Sequence, residues 1–269
     1  MIVRQKKFAS PTIVAIIAGI LTVALTPSLK SSPITFAEFQ QPPSGATTGD
    51  FAYLNDGAAS DAELVSEPVA PAGVPILFDF LSTNGILPAD LQGAQAAILS
   101  LTSSTTSAVA TAFGGSVGDE QTLGSGQLAD VLSITRNTPA AEGNGSRNNL
   151  LTMTFTGQLF GALGGHSPQL AADTNFGYVV TYSSDFLKFT GATQQNNFTL
   201  NFTSWTTTAA DANNGNGLEI AADNYFESAI ASGSATFESD SVAVLPEPLA
   251  IALMCLAAPI LLSRGLRPL

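Results

Sequence analysis

Few side chains in this 269-residue chain are equipped for chemistry, since it holds one His and one Cys. His166 sits in the run Gly164-Gly165-His166-Ser167. A His in a glycine-rich loop becomes a general base only where the fold brings a nucleophile and an orienting acid to it. Its plainer reading is a solvated loop residue. Cys255 lies inside a C-terminal apolar stretch, so the body has no thiol nucleophile, no intrachain disulfide and no Cys/His spacing suited to zinc. Carboxylates are the abundant reactive groups, and two suffice for glycoside hydrolysis. With 21 Asp and Glu residues, however, chance pairs are certain. A sugar ring also needs an aromatic face to stack on. Trp205 and Tyr225 are the obvious platforms in a chain with one Trp and four Tyr, and each suits a core as well as a rim.

One loop could hold a hard cation. Asp211-Ala212-Asn213-Asn214-Gly215-Asn216-Gly217-Leu218-Glu219 sets oxygen-bearing side chains on a glycine-bent backbone, with Asp211, Asn213 and Glu219 as the expected calcium ligands. It opens like an EF-hand loop, but its acid falls at the ninth position and no Glu stands at the twelfth. An ordinary Asn/Gly turn accounts for the same residues, and calcium is the one cofactor the sequence suggests. The three N-x-S/T sequons, at Asn144, Asn197 and Asn201, follow from the Asn- and Thr-rich composition.

Charge excludes one class of partner outright. Between Glu38 and Leu245 only Arg136, Arg147 and Lys188 face 20 carboxylates, a net charge of −17. Such a surface repels nucleic acid, whose binding depends on neutralising phosphates with Lys and Arg. Recurrent Val, Ile, Leu and 16 Phe separate the body from a disordered chain and provide for a sizeable core.

The elements that must position any site read as strands. Ile76 to Phe80, Ile98 to Thr102 and Leu128 to Thr135 carry compact or alternating apolar patterns. Leu151 to Thr156, Tyr178 to Tyr182, Phe198 to Trp205, Ala235 to Phe237 and Val242 to Val244 follow, most of them alternating apolar residues with Thr at period two. Turn-forming clusters lie between them at Gly143 to Asn149, Gly161 to Ser167 and Asp211 to Gly217. Pro88 to Gln95 predicts one short helical turn, and no longer run has helical periodicity. The expected fold is all-β, an antiparallel, jelly-roll-like β-sandwich over residues 75–245. Residues 38–74, rich in Ala, Gly, Ser, Pro and acids, read as a loose N-terminal segment able to add one edge strand.

Both ends read as addresses. Arg4, Lys6 and Lys7 precede an uncharged apolar stretch from Ile13 to Leu25, the order of a secretory signal peptide. As a helix that stretch rises only ~20 Å, short of the ~30 Å hydrocarbon core that a retained anchor must cross. Small residues at Thr35 and Ala37 favour cleavage after Ala37, making 1–37 the signal peptide, with a second site nearer Ala24.

At the other end, residues 246–269 run Pro246-Glu247-Pro248, an apolar segment from Leu249 to Leu262, then Ser263, Arg264, Gly265, Leu266 and Arg267. The prolines end any preceding strand, the apolar segment suits a bilayer, and the arginines hold the cytoplasmic side. This order resembles the PEP-CTERM sorting domain, with Pro246, Glu247, Pro248, Arg264 and Arg267 as the matching residues. Two arginines make a sparser basic cluster than that family's usual ending. An ordinary C-terminal anchor and a GPI signal after Ser239 to Ser241 are the competing readings of the tail.

The resemblance implies an exosortase-type protease as partner, transient anchoring in the inner membrane, and delivery to the cell surface or exopolysaccharide matrix of a Gram-negative-type bacterium. The expected role there is structural or adhesive and non-enzymatic, with exopolysaccharide as a candidate partner. The rival is a secreted carbohydrate-active enzyme or sugar-binding module.

Overall fold

The computed structural model describes residues 32–41, 49–57, 62–67, 73–81, 87, 91–104, 109–113, 118–123, 130–142, 145–190, 195–208, 217–240 and 242–244. The signal-like segment, the Pro246-Glu247-Pro248 motif and the apolar tail therefore lie outside the described residues, and no helix among the described residues is long and apolar enough to cross a membrane.

The described residues form strands almost throughout. These are β1 (Ile34–Gln40), β2 (Phe51–Leu54), β3 (Glu63–Ser66), β4 (Val74–Phe80), β5 (Gln95–Ser104), β6 (Thr111–Phe113), β7 (Gly118–Leu123), β8 (Asp130–Glu142) and β9 (Gly145–Phe155). Then come β10 (Gly157–Ala162), β11 (Gln169–Asp173), β12 (Val180–Ser183), β13 (Leu187–Phe189), β14 (Asn196–Thr207), β15 (Ala229–Ser239) and β16 (Val242–Val244). The main sheet runs β12-β9-β8-β5-β3-β2-β15-β14-β11-β10-β7-β6, while β13 and β16 pair separately. Every one of these pairings is antiparallel.

The middle of the sheet is split. β5 pairs β4 through residues 95–99 and β3 through residues 102–104. β15 likewise takes β1 on its C-terminal half and β2 on its N-terminal half. Where β5 changes partner, the Leu101 N–H donates to the Ser66 hydroxyl at 3.0 Å, so this buried donor stays satisfied across the gap.

The sheet folds over on itself into two layers. Phe155 of β9 meets Phe198 of β14 at 5.3 Å between ring centroids, and Tyr182 of β12 meets Phe36 of β1 at 5.2 Å and Phe237 of β15 at 6.2 Å. The Tyr53 hydroxyl of β2 donates to Gln121 Oε1 of β7 at 2.5 Å inside the same core. Rings are efficient filling for such a core, because each buries a large apolar area and edge-on contacts gain further attraction.

The all-β antiparallel sandwich expected from the period-two runs is the observed fold. Several local expectations are revised. The described part of 38–74 is not loose, since it contains the end of β1, all of β2 and β3, and the start of β4. Moreover, β1 lies between β15 and β4 rather than at an edge. Cleavage after Ala37 would cut β1 in two and remove Phe36 and Ala37, both fully buried. Gly145 to Asn149, expected as turn, are the start of β9. Of the expected helical turn, residues 88–90 lie outside the described residues, Leu91 is 3-10 helical in keeping with the expectation, 92 and 93 form a bend, and Gln95 already belongs to β5.

Candidate functional site

The expected aromatic platforms are core residues. Trp205 is 1% exposed and Tyr225 3%. Strict alternation from Phe202 would turn Ser204 inward and Trp205 outward. Instead, three steps on β14 (Thr203 to Thr206) oppose two on β15 (Ser232 to Ile230), a β-bulge with Ser204 at φ 56°. The extra residue resets the alternation, and Trp205 packs against Phe202 at 5.3 Å and Tyr53 at 6.2 Å.

His166 serves this bulge. Its Nδ1 lies 2.8 Å from the Trp205 carbonyl oxygen, and its own carbonyl accepts the Trp205 N–H at 3.0 Å. A carbonyl oxygen can only accept, so Nδ1 carries the proton. Among the described residues no hydroxyl or carboxylate hydrogen-bonds the ring, and no catalytic triad forms around it. The run Gly114-Gly115-Ser116-Val117-Gly118 has the spacing of a serine-hydrolase nucleophile elbow. That motif needs a strand-to-helix turn; residues 114–117 lie outside the described residues, and the strands on either side of them in sequence, β6 and β7, pair antiparallel.

Of the three expected calcium ligands, Asp211 and Asn213 lie outside the described residues. Glu219 is half-buried, and its carbonyl accepts the Glu227 N–H at 2.9 Å. The end of that loop is built into the fold. Gly164 N–H donates to the Leu218 carbonyl, Leu218 N–H to the Gly165 carbonyl, and a Cβ on Gly217 would stand 2.3 Å from Gly164 backbone. No group of three His, Cys, Asp or Glu residues suited to a metal occurs among the described residues.

A different site emerges on the outer face of β10, β11, β14 and β15. The residues between the buried ones on these strands point to solvent, and cross-strand register aligns them. One row runs Asp173, Asn197, Glu238, Thr35, and the next runs Gln158, Ala171, Thr199, Thr236. Together with the loop after β11 they bound a groove of about 600 Å³, lined on its apolar side by Phe160, Phe176 and Tyr178 and on its polar side by Gln158, Asp173, Asn197, Thr199 and Glu238.

The loop that carries the exposed ring is tied at both ends. Asp173 Oδ1 accepts the Asn175 N–H at 2.7 Å and so caps the 3-10 turn Thr174–Phe176. Gly177 ends the turn at φ +88°, a left-handed backbone that favours glycine. Thr174 Oγ1 accepts the Asn196 N–H at 3.1 Å, and Val179 exchanges bonds with Thr156 through its N–H and carbonyl. On this frame Phe176 stands 81% exposed and Tyr178 half-exposed. Tyr178 begins in this loop, and β12 starts only at Val180 rather than at Tyr178 as expected.

The polar side consists mainly of acceptors. Glu238 receives Thr35 Oγ1 on Oε1 and Asn197 Nδ2 on Oε2, both at 3.2 Å. Because Asn197 spends its amide nitrogen there, its Oδ1 is left buried with no hydrogen-bond partner. Glu120, opposite Phe160 on β7, adds negative charge, and burial, helped by this carboxylate, raises the Tyr178 hydroxyl above its usual range. The groove lining contains no Lys or Arg.

No family model, no curated protein and no solved structure matches the chain. The groove therefore has to be read from its own chemistry. Sequence reasoning passed over Phe176 and Tyr178. The signal was available in Asp173-Thr174-Asn175-Phe176-Gly177-Tyr178, where two aromatics flank a glycine just after a capping Asp, in a stretch without period-two alternation.

Proposed function

We propose that this chain is an exported, surface-destined bacterial protein that adheres to the exopolysaccharide matrix, and that it does so through the groove across β10, β11, β14 and β15. The address half of the reading rests on the ends of the sequence: a basic then apolar N-terminal stretch, and a tail that resembles the PEP-CTERM domain and would be handled by an exosortase-type protease at the inner membrane. The adhesive half is carried by one observation, the 81% exposed Phe176 held on a turn tied at both ends beside amides and carboxylates. A ring fixed in water with polar groups around it is what a sugar needs, one apolar face to stack and a rim of hydroxyls to bond.

Binding is favoured over hydrolysis. Asp173 and Glu238 sit two strands apart, about 10 Å between Cα atoms, a separation within reach of a hydrolytic pair. However, Glu238 has both oxygens engaged by Thr35 and Asn197, and Asp173 is engaged as a cap. Groups held in this way position a ligand more readily than they exchange protons.

A glycan-array screen of the purified protein beside Phe176→Ala tests the adhesive half. Wild-type binding to a restricted set of glycans, weakened about tenfold by Phe176→Ala, is expected; an array without any bound glycan, or release of reducing ends from those bound, refutes it. Mass spectrometry of the surface fraction tests the address half. No peptide beyond about Pro248 is expected, and an abundant peptide covering Leu249 to Arg264 would sink the sorting claim.

A further inference from the structure

We infer that the groove selects saccharides bearing free amino groups, over their N-acetylated and uronic-acid counterparts. This rests on the adhesive reading above and names the ligand class for the same site.

The inference comes from counting donors and acceptors. Asp173 and Glu238 can only accept hydrogen bonds. Asn197 has one of its two amide N–H groups committed to Glu238. Gln158, Thr199, the Tyr178 hydroxyl and the second Asn197 N–H can donate, but the two charged groups of the lining only accept. A ligand seated against those two has to bring the donors itself. An ammonium group brings three, whereas an acetamido group brings one and carries no charge to meet the carboxylates.

Charge points the same way. Asp173 and Glu238 line the groove and Glu120 lies beside Tyr178, with no Lys or Arg in the lining to offset them. A uronate would be repelled by these carboxylates, and an ammonium attracted. The aromatic rim adds to the preference, because a cation over the face of Phe176 or Tyr178 is drawn to the ring quadrupole. The sugar ring's C–H face can occupy one ring while its ammonium reaches toward Asp173.

Isothermal titration of the purified protein with glucosamine oligomers, N-acetylglucosamine oligomers of equal length, oligogalacturonate and spermine tests this. The glucosamine oligomer is expected to bind at one site about tenfold more tightly than the N-acetylated one at low salt, with the preference shrinking as salt rises. Asp173→Asn keeps an acceptor for the Asn175 N–H and should bring the two affinities close together. Phe176→Ala should weaken both.

Spermine separates site binding from the diffuse pull of a −17 body on any polycation. If it binds as tightly as the glucosamine oligomer and Asp173→Asn changes neither, amine selectivity at the groove is overturned. Equal binding of the two sugar oligomers overturns the selectivity and leaves the adhesive reading in place. Failure of every saccharide, with the protein folded by circular dichroism, overturns both.

Discussion

His166 and Trp205 hold each other twice: the imidazole Nδ1–H donates to the Trp205 carbonyl at 2.8 Å, and the Trp205 N–H donates to the His166 carbonyl at 3.0 Å. This two-way bond fastens the Gly161-to-Ser167 loop onto the bulge of β14, with the Phe202 N–H to Pro168 carbonyl bond alongside it at 3.0 Å. The only His in the chain is thus a structural brace. His166→Ala removes one of the two bonds and should lower stability by about 1 kcal/mol, read as a lower denaturation midpoint at unchanged slope. Saccharide binding should be unaffected, since His166 lies outside the groove lining. Loss of binding without loss of stability would contradict this role.

The bulge itself depends on Ser204 accepting φ 56°. Glycine adopts that backbone freely, whereas a β-branched side chain does so only under strain. Ser204→Gly should leave the melting temperature equal or higher, and Ser204→Val should cost about 1–2 kcal/mol. Trp205 fluorescence should shift to the red only in the Val variant, as the indole loses its place in the core. A Val variant as stable as the Gly variant would contradict the bulge as the cause of Trp205 burial.

The strands legible in the sequence were those whose own alternation announces them. Leu151 to Phe155 and Phe198 to Phe202 place every second residue in the core, and both are strands in the structure. The strands that escaped are defined by distant partners. β1 pairs with β15, some 200 positions away, and with β4, so its central place follows from the rest of the sheet and not from its own residues. Trp205 escaped for a third reason: a single extra residue reverses which face it occupies, and a Ser at positive φ gives no compositional warning. The groove is a product of register. Asp173, Asn197 and Glu238 become neighbours only once β11, β14 and β15 are aligned.

The same alignment constrains where the N-terminal segment can be removed. Phe36 and Ala37 are fully buried in β1, and Phe36 meets Tyr182 and Phe189 at 5.2 Å each. Deleting one such ring from a packed core costs about 3–5 kcal/mol. If the N-terminal segment is removed, N-terminal sequencing of the mature protein should therefore find a start before Ile34. A mature protein beginning at Glu38 would mean that β1 forms without its first half.

Two buried tyrosines set the alkaline limit. Burial raises the hydroxyls of Tyr53 and Tyr182 above the ordinary value of 10.0. In the unfolded chain these groups begin to ionise near pH 10, while in the fold they stay neutral. Between the two values the unfolded state binds fewer protons, so stability is full below about pH 10 and falls as pH rises beyond it. An alkaline titration should show the tyrosinate absorbance of Tyr53 and Tyr182 rising only together with unfolding by circular dichroism. Complete ionisation of all four tyrosines while the β signal persists would contradict the burial.

Mapping where a saccharide touches the protein bears on the groove without reference to affinity. Backbone amide shifts should be recorded as the tightest-binding glycan from the array is titrated to saturation. The largest changes should fall on Gln158, Phe160, Asp173 through Tyr178, Asn197, Thr199 and Glu238, with Trp205, Tyr225 and the 217–219 segment unmoved. Changes centred on Trp205 or the 217–219 segment, with the groove residues still, would contradict the assignment of the adhesive surface to this face of the sheet.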